Sequence, residues 1–171
     1  MAHHPEHSIP FTGLKDGTHA YRFEIGREFL MSVGEDEITD GQVTVDVTLD
    51  KSTTMIVAEI HVEGPVTVHC DRCDGAMECR LSGNQRQIFQ LNATEDLDDD
   101  ELVALPPQAH TIDLGHYIYE CVRLALPARH VHAPGQCDPE AEAALNRLAV
   151  EKEPVPDPRW AALQELKNQR P

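Results

Sequence analysis

The residues with most chemistry to offer are Cys70 and Cys73, two residues apart in Cys70-Asp71-Arg72-Cys73, and His132 and Cys137 further along the chain. A two-residue spacer lets both sulfurs converge on one ion. Thiolates hold zinc at about 2.3 Å, and a closed structural site takes four ligands. One Cys pair supplies two of them. His132 and Cys137, in Val131-His132-Ala133-Pro134-Gly135-Gln136-Cys137, are the candidates for the other two. The expectation is a Cys3His zinc site that joins an extended segment to the C-terminal part. His130 and His69 are rival donors. His69 is the weaker, because it adjoins Cys70 on an extended run and so points to the opposite face. Reduced, unligated thiols are the competing reading. A thioredoxin-like redox pair is a third, disfavoured because no strand-to-helix βαβ context surrounds the motif.

The remaining cysteines and histidines read as structural. Cys79 and Cys121 fall on apolar faces, where a thiol behaves as a small hydrophobe. His110 and His116 flank a helix start and are expected to be satisfied or exposed. His3, His4 and His7 belong to a polar lead-in. No phosphate-cradling Gly-rich loop, G-x-S-x-G, H-E-x-x-H or dinucleotide fingerprint occurs. The chain therefore reads as no enzyme, with no small-molecule substrate evident.

These residues must be held by elements, and the elements are mostly extended. Tyr21, Phe23 and Ile25 alternate with Arg22 and Glu24, giving a first strand. Residues 34–41 are turn-like. Val43, Val45, Val47 and Leu49 then share one face, and Ile56, Ala58, Ile60 and Val62 share one face of the next run. Asp50-Lys51-Ser52-Thr53 joins these two strands into an antiparallel hairpin. Gly64-Pro65 is expected to break or bend the second strand. The chain turns again through Cys70–Gly75 and returns along Met77, Cys79 and Leu81 to Leu91. Residues 93–105 hold a tight acidic cluster, Asp98-Asp99-Asp100-Glu101, and read as a loop or short helix, or as a strip for a basic partner.

Helices follow. Asp113 looks like a cap, and Leu114, Tyr117, Ile118, Cys121, Val122 and Ala125 make one amphipathic face that Pro127 ends. Asp138-Pro139 opens a second helix through about residue 150, with Ala141, Ala144, Leu145 and Leu148 as its stripe. Asp157-Pro158 opens a last short helix bearing Trp160, Leu163 and Leu166. The fold class is α+β: an antiparallel β meander or partly closed barrel followed by C-terminal helices. The organisation is a polar lead-in over 1–16 and a β-rich core with one covering helix over 17–127. A His/Cys segment with the C-terminal helices, over 128–171, belongs to the same domain.

Composition narrows the partners. The 171 residues hold 14 Lys+Arg against 30 Asp+Glu, a formal net charge of −16. Phosphate binding needs clustered cations, so gripping bare nucleic acid by charge is disfavoured. An anionic membrane surface is disfavoured for the same reason. The N-terminus lacks a basic start and an apolar stretch, and no run of about 18 apolar residues occurs, so neither a secretory signal nor a membrane span is expected. Five cysteines at irregular spacing then read as reduced thiols or a metal site, and the expected location is the cytoplasm.

The order of segments resembles a known family. The resemblance runs from Ile9-Pro10-Phe11-Thr12-Gly13-Leu14-Lys15-Asp16-Gly17 through Gly64-Pro65-Val66-Thr67-Val68-His69-Cys70-Asp71-Arg72-Cys73. It continues in Ile112-Asp113-Leu114, Tyr119-Glu120 and Leu124-Ala125-Leu126-Pro127. It ends in Val131-His132, Cys137-Asp138-Pro139 and Asp157-Pro158-Arg159-Trp160. The chain is similar to the YceD family of bacterial and plastid proteins, and its opening and His-Cys segments resemble the Bacteroidetes branch in particular. The resemblance implies a role in synthesis, processing or stability of large-subunit ribosomal RNA, with no enzymatic activity to carry over. Many members carry the pair seen here as Cys70 and Cys73. Some have a second close Cys pair near the C-terminus, where this chain has only Cys137, so a fourth ligand depends on His132.

The resulting expectation is a non-catalytic ribosome-biogenesis factor that docks on a basic ribosomal protein or a large-subunit precursor. RNA contact would be indirect or weak, with Arg72, Arg80 and Arg86 as the local cations. The alternatives are a dedicated binder or chaperone of one basic ribosomal protein, and a zinc or thiol sensor.

Overall fold

The alternation seen in the sequence becomes an open five-stranded sheet in the structure, a computed structural model that describes residues 5–33, 37–93, 102–149 and 159. Its elements are β1 (Ser8–Pro10), β2 (Gly17–Gly26), α1 (Arg27–Val33), β3 (Ile38–Lys51), β4 (Met55–His69), β5 (Ala76–Leu91), β6 (Leu102–Leu105), β7 (Thr111–Asp113), α2 (Gly115–Ala125) and α3 (Pro139–Leu148). The five-stranded sheet has the order β2-β3-β4-β5-β6, and β1 pairs with β7 in a separate two-stranded sheet. Strands β2 to β5 form the antiparallel meander expected from the sequence. It stays open rather than closing into a barrel.

Register explains the core. Val45 lies opposite Val62, Val47 opposite Ile60 and Leu49 opposite Ala58, so the apolar faces of β3 and β4 coincide and are buried. A slip of one residue would turn all of them to solvent. Helices α1 and α2 and the β1–β7 pair contribute Phe29, Leu30, Ile118, Val122, Ile9 and Ile112 to the same buried cluster. The edge of Phe89 meets the Tyr117 ring at a centroid distance of 5.5 Å, locking α2 to β5.

Several expectations change. The chain does not break at Gly64-Pro65: β4 runs through both residues. The pairing with β3 lapses there, between Gly41 opposite Val66 and Thr44 opposite Glu63. Proline's missing donor is tolerated where the ladder is interrupted. Gly64 is needed for closeness, since a Cβ would lie 2.3 Å from the Gln42 carbonyl oxygen. Residues 102–105 are neither loop nor helix but a short parallel edge strand beside β5. The acidic cluster preceding it lies outside the described residues, as does the helix expected after Asp157. Helix α1 was not apparent in the sequence. The cap of α2 falls one residue later than expected. Leu114 occupies the cap position, and Asp113 instead accepts a 2.9 Å hydrogen bond from the Gly115 N–H.

The chain divides into two compact units, Met1–Cys137 and Asp138–Pro171. In the second, the Asp138 side chain accepts from the Ala141 N–H at 2.8 Å and Pro139 opens the helix, as its sequence dictates. No residue of α3 is buried: of its expected apolar stripe Ala141 and Ala144 are half-buried and Leu145 and Leu148 exposed. No helix of the described residues is long and apolar enough to cross a membrane.

Candidate metal centre

The β4–β5 hairpin carries the first two candidate ligands at its tip. Pairing runs from Met55 opposite Gln90 to His69 opposite Ala76, and the six residues Cys70–Gly75 close the turn. Within it the Cys70 N–H donates to the Gly75 carbonyl at 2.9 Å and the Asp74 N–H to the Cys70 carbonyl at 2.8 Å. Asp74 takes a left-handed conformation, φ 58°. Asp tolerates that region better than most side chains. This tight turn folds Cys73 back toward Cys70.

The other two candidates come from the segment after α2. Between His132 and Cys137 lies a type II turn. The Gln136 N–H donates to the Ala133 carbonyl at 3.0 Å, Pro134 leads, and Gly135 follows at φ 81°. Such a turn returns the chain on itself, so both side chains reach the hairpin tip.

Cys70, Cys73, His132 and Cys137 each place one ligand atom within 4.8 Å of all the others. Cys73 Sγ lies 3.4 Å from His132 Nδ1, Cys70 Sγ 3.9 Å from Cys137 Sγ, and Cys137 Sγ 3.9 Å from His132 Nδ1. In a tetrahedral zinc site with ordinary bond lengths, neighbouring ligand atoms are separated by about 3.4–3.8 Å. These three spacings are therefore close to those of a Cys3His tetrahedron. His132 Nε2 lies 3.3 Å from the Ala76 carbonyl oxygen. That contact suits an Nε2–H tautomer, which leaves the Nδ1 lone pair facing the sulfurs.

Protonation differs across the cluster. Burial pushes the Cys70 thiol up, but N–H groups of His132, Arg72 and Cys73 and the Cys73 side chain outweigh it and bring Cys70 down to about 6. Burial, reinforced by Cys73 and Cys70, pushes Cys137 up to about 11. The contact with the Cys73 thiol raises the His132 imidazole above its ordinary value, against the opposing effect of burial.

The rival histidines fall outside this set. His69 points away, with Nδ1 3.0 Å from the Asp74 carbonyl oxygen and half its side chain exposed. His130 is buried, but it packs beside Asp71 instead of joining the sulfurs. Cys121 is buried against the sheet and burial alone pushes its thiol up to about 11. Cys79 packs against the core while half-buried. His116 pairs with Glu120 one turn along α2, 3.1 Å away. Two supporting groups were not anticipated from the sequence: the Ala76 carbonyl, a backbone atom with no residue-type signal, and Asp71, whose signal was its place inside the Cys-x-x-Cys motif.

Fold and cluster together define an α+β protein with a candidate metal centre at the end of its central hairpin. The chain belongs to the family of the large ribosomal RNA subunit accumulation protein YceD, whose family model matches residues 58–167. That span includes all four cluster residues, and membership ties the chain to accumulation of large-subunit ribosomal RNA. No curated protein and no solved structure gives a significant match.

Proposed function

We infer that the protein is a non-catalytic factor supporting synthesis, processing or stability of large-subunit ribosomal RNA. It acts by docking on a basic ribosomal protein or on a precursor particle, and its Cys3His group holds a structural zinc ion. The observation that carries the docking reading is charge. The chain bears a formal net charge of −16. On the solvent face of the sheet Arg22 is held by Asp46 at 2.6 Å and Arg80 by Glu63 at 3.0 Å, while Arg86 stands opposite Glu59. Arg22 and Arg80, already matched to carboxylates, have less to offer phosphates, whereas the acidic excess steers basic partners. Zinc is favoured over other ions because three thiolates and an imidazole at tetrahedral spacing suit its softness and geometry.

The test is mass spectrometry of particles co-purified with the tagged protein at low and high salt, with large-subunit ribosomal RNA measured in a deletion strain. Precursor particles or a basic ribosomal protein that leave at high salt, together with reduced ribosomal RNA, support the proposal. Normal ribosomal RNA levels and processing in the deletion strain overturn it. Nanomolar binding of bare transcript by the isolated protein overturns the docking mechanism.

A further inference from the structure

The four cluster residues lie on two chain segments, and Asp71, outside the ligand set, bonds one to the other. Cys70 and Cys73 stand at the hairpin tip, while His132 and Cys137 follow α2, so a site assembled only by the ion would have to order both segments as it binds. Asp71 spans the gap from inside the Cys-x-x-Cys turn. Its backbone N–H donates to the His130 carbonyl at 2.7 Å. Its carboxylate accepts from the His130 backbone N–H through Oδ2, also at 2.7 Å. Oδ1 lies 4.0 Å from His130 Nδ1. The His130 ring is buried beneath this contact. One residue thus holds both backbone polar groups of another across 59 positions of sequence.

We propose that Asp71 is a positioning residue that fastens the His132–Cys137 segment to the hairpin tip, so that the ligand set is assembled before any ion arrives. The inference rests on the metal reading above. Its physical basis is preorganisation. Ordering a segment costs conformational entropy, and where the protein's own hydrogen bonds meet that cost the ion's affinity is not reduced by it. Beside the backbone bond the carboxylate gives the His130 N–H a charged acceptor, and this is the contact that a change of the Asp71 side chain removes. His130 then serves as the anchor rather than as a ligand, and His132, two residues on, lies on the ligand side of it. Partners outside the ligand shell commonly change metal affinity by about 10–100-fold.

The experiment compares wild type, Asp71→Ala and Asp71→Asn as full chains, using cobalt(II) as the spectroscopic probe and chelator competition for zinc. Asp71→Asn keeps an oxygen able to accept from the His130 N–H, whereas Asp71→Ala does not. The expected result is a loss of affinity of about tenfold or more in Asp71→Ala, with its thiolate-to-cobalt bands unchanged in shape because all four ligands remain. Asp71→Asn should stay within about threefold of wild type. Equal affinity in wild type and Asp71→Ala overturns the inference, as does an equal loss in both variants. Hydrogen exchange of the metal-free wild type is a check that needs no variant: the His130 amide should be protected, and free exchange there overturns the inference too. Failure of wild type to give thiolate–cobalt bands overturns the metal reading itself, an outcome distinct from bands of equal strength in wild type and Asp71→Ala.

Discussion

At the level of single residues, the four ligand candidates make the sharpest prediction. Protein purified without an affinity tag should carry about one zinc per chain by elemental analysis, in keeping with one closed four-ligand site. Cys73→Ser or Cys137→Ser should lose it. His69→Ala should keep it, because that ring turns toward the Asp74 carbonyl. Loading must displace the proton of Cys137, whose thiol is raised to about 11. Apparent zinc affinity should therefore rise with pH over about 6 to 8, with proton release on binding, and a flat profile in competition titrations would count against thiolate ligation. Cys121 should resist alkylation in the native protein and react only on unfolding, since burial raises its thiol to about 11. Spacing made Cys70 and Cys73 legible in the sequence, and their turn was legible as well. The choice between His130 and His132 was not decided by spacing, because both lie within reach of Cys137. What separates them is the hold of Asp71 on residue 130, a tertiary contact.

Among the elements, the long strands were legible because each shows period two with β-branched residues on the buried side. Helix α1 was hidden for a physical reason: the seven residues Arg27–Val33 make under two turns, too few to display a helical period. Strand β6 was hidden because Leu102–Leu105 is a four-residue run at the end of an acidic stretch, and its pairing is parallel. Close approaches between elements give the stability predictions. A Cβ on Gly83 would lie 2.7 Å from the Ala125 Cβ, so this glycine sets how near α2 sits to β5. Gly83→Ala should destabilise by about 1–3 kcal/mol in urea unfolding. Ala125→Gly should recover part of that loss in a double-mutant cycle, and strict additivity of the two would deny the contact. Gly64→Ala should cost more than Gly83→Ala, because the atom in the way is backbone of β3.

For the molecule as a whole, charge and topology govern behaviour. Association with a basic partner should weaken steeply with salt, since exposed charges are screened beyond about 10 Å at 0.1 M. A binding assay between low and high ionic strength checks this, and salt-independent binding would point to an apolar interface instead. The acidic excess was legible from composition alone. Whether the sheet would close was not, because strands of similar spacing suit an open meander and a barrel alike. The match to the family begins at Ala58, inside β4, while β4 pairs with β3 from Ile56 to Val68 with a lapse at Gly64-Pro65. A gene fragment cut to the matched span would strip two strands from one side of the central hairpin and bare a row of unpaired amides and carbonyls beside valine and isoleucine. Such an edge recruits other chains, so that fragment should precipitate at lower concentration than the 171-residue polypeptide.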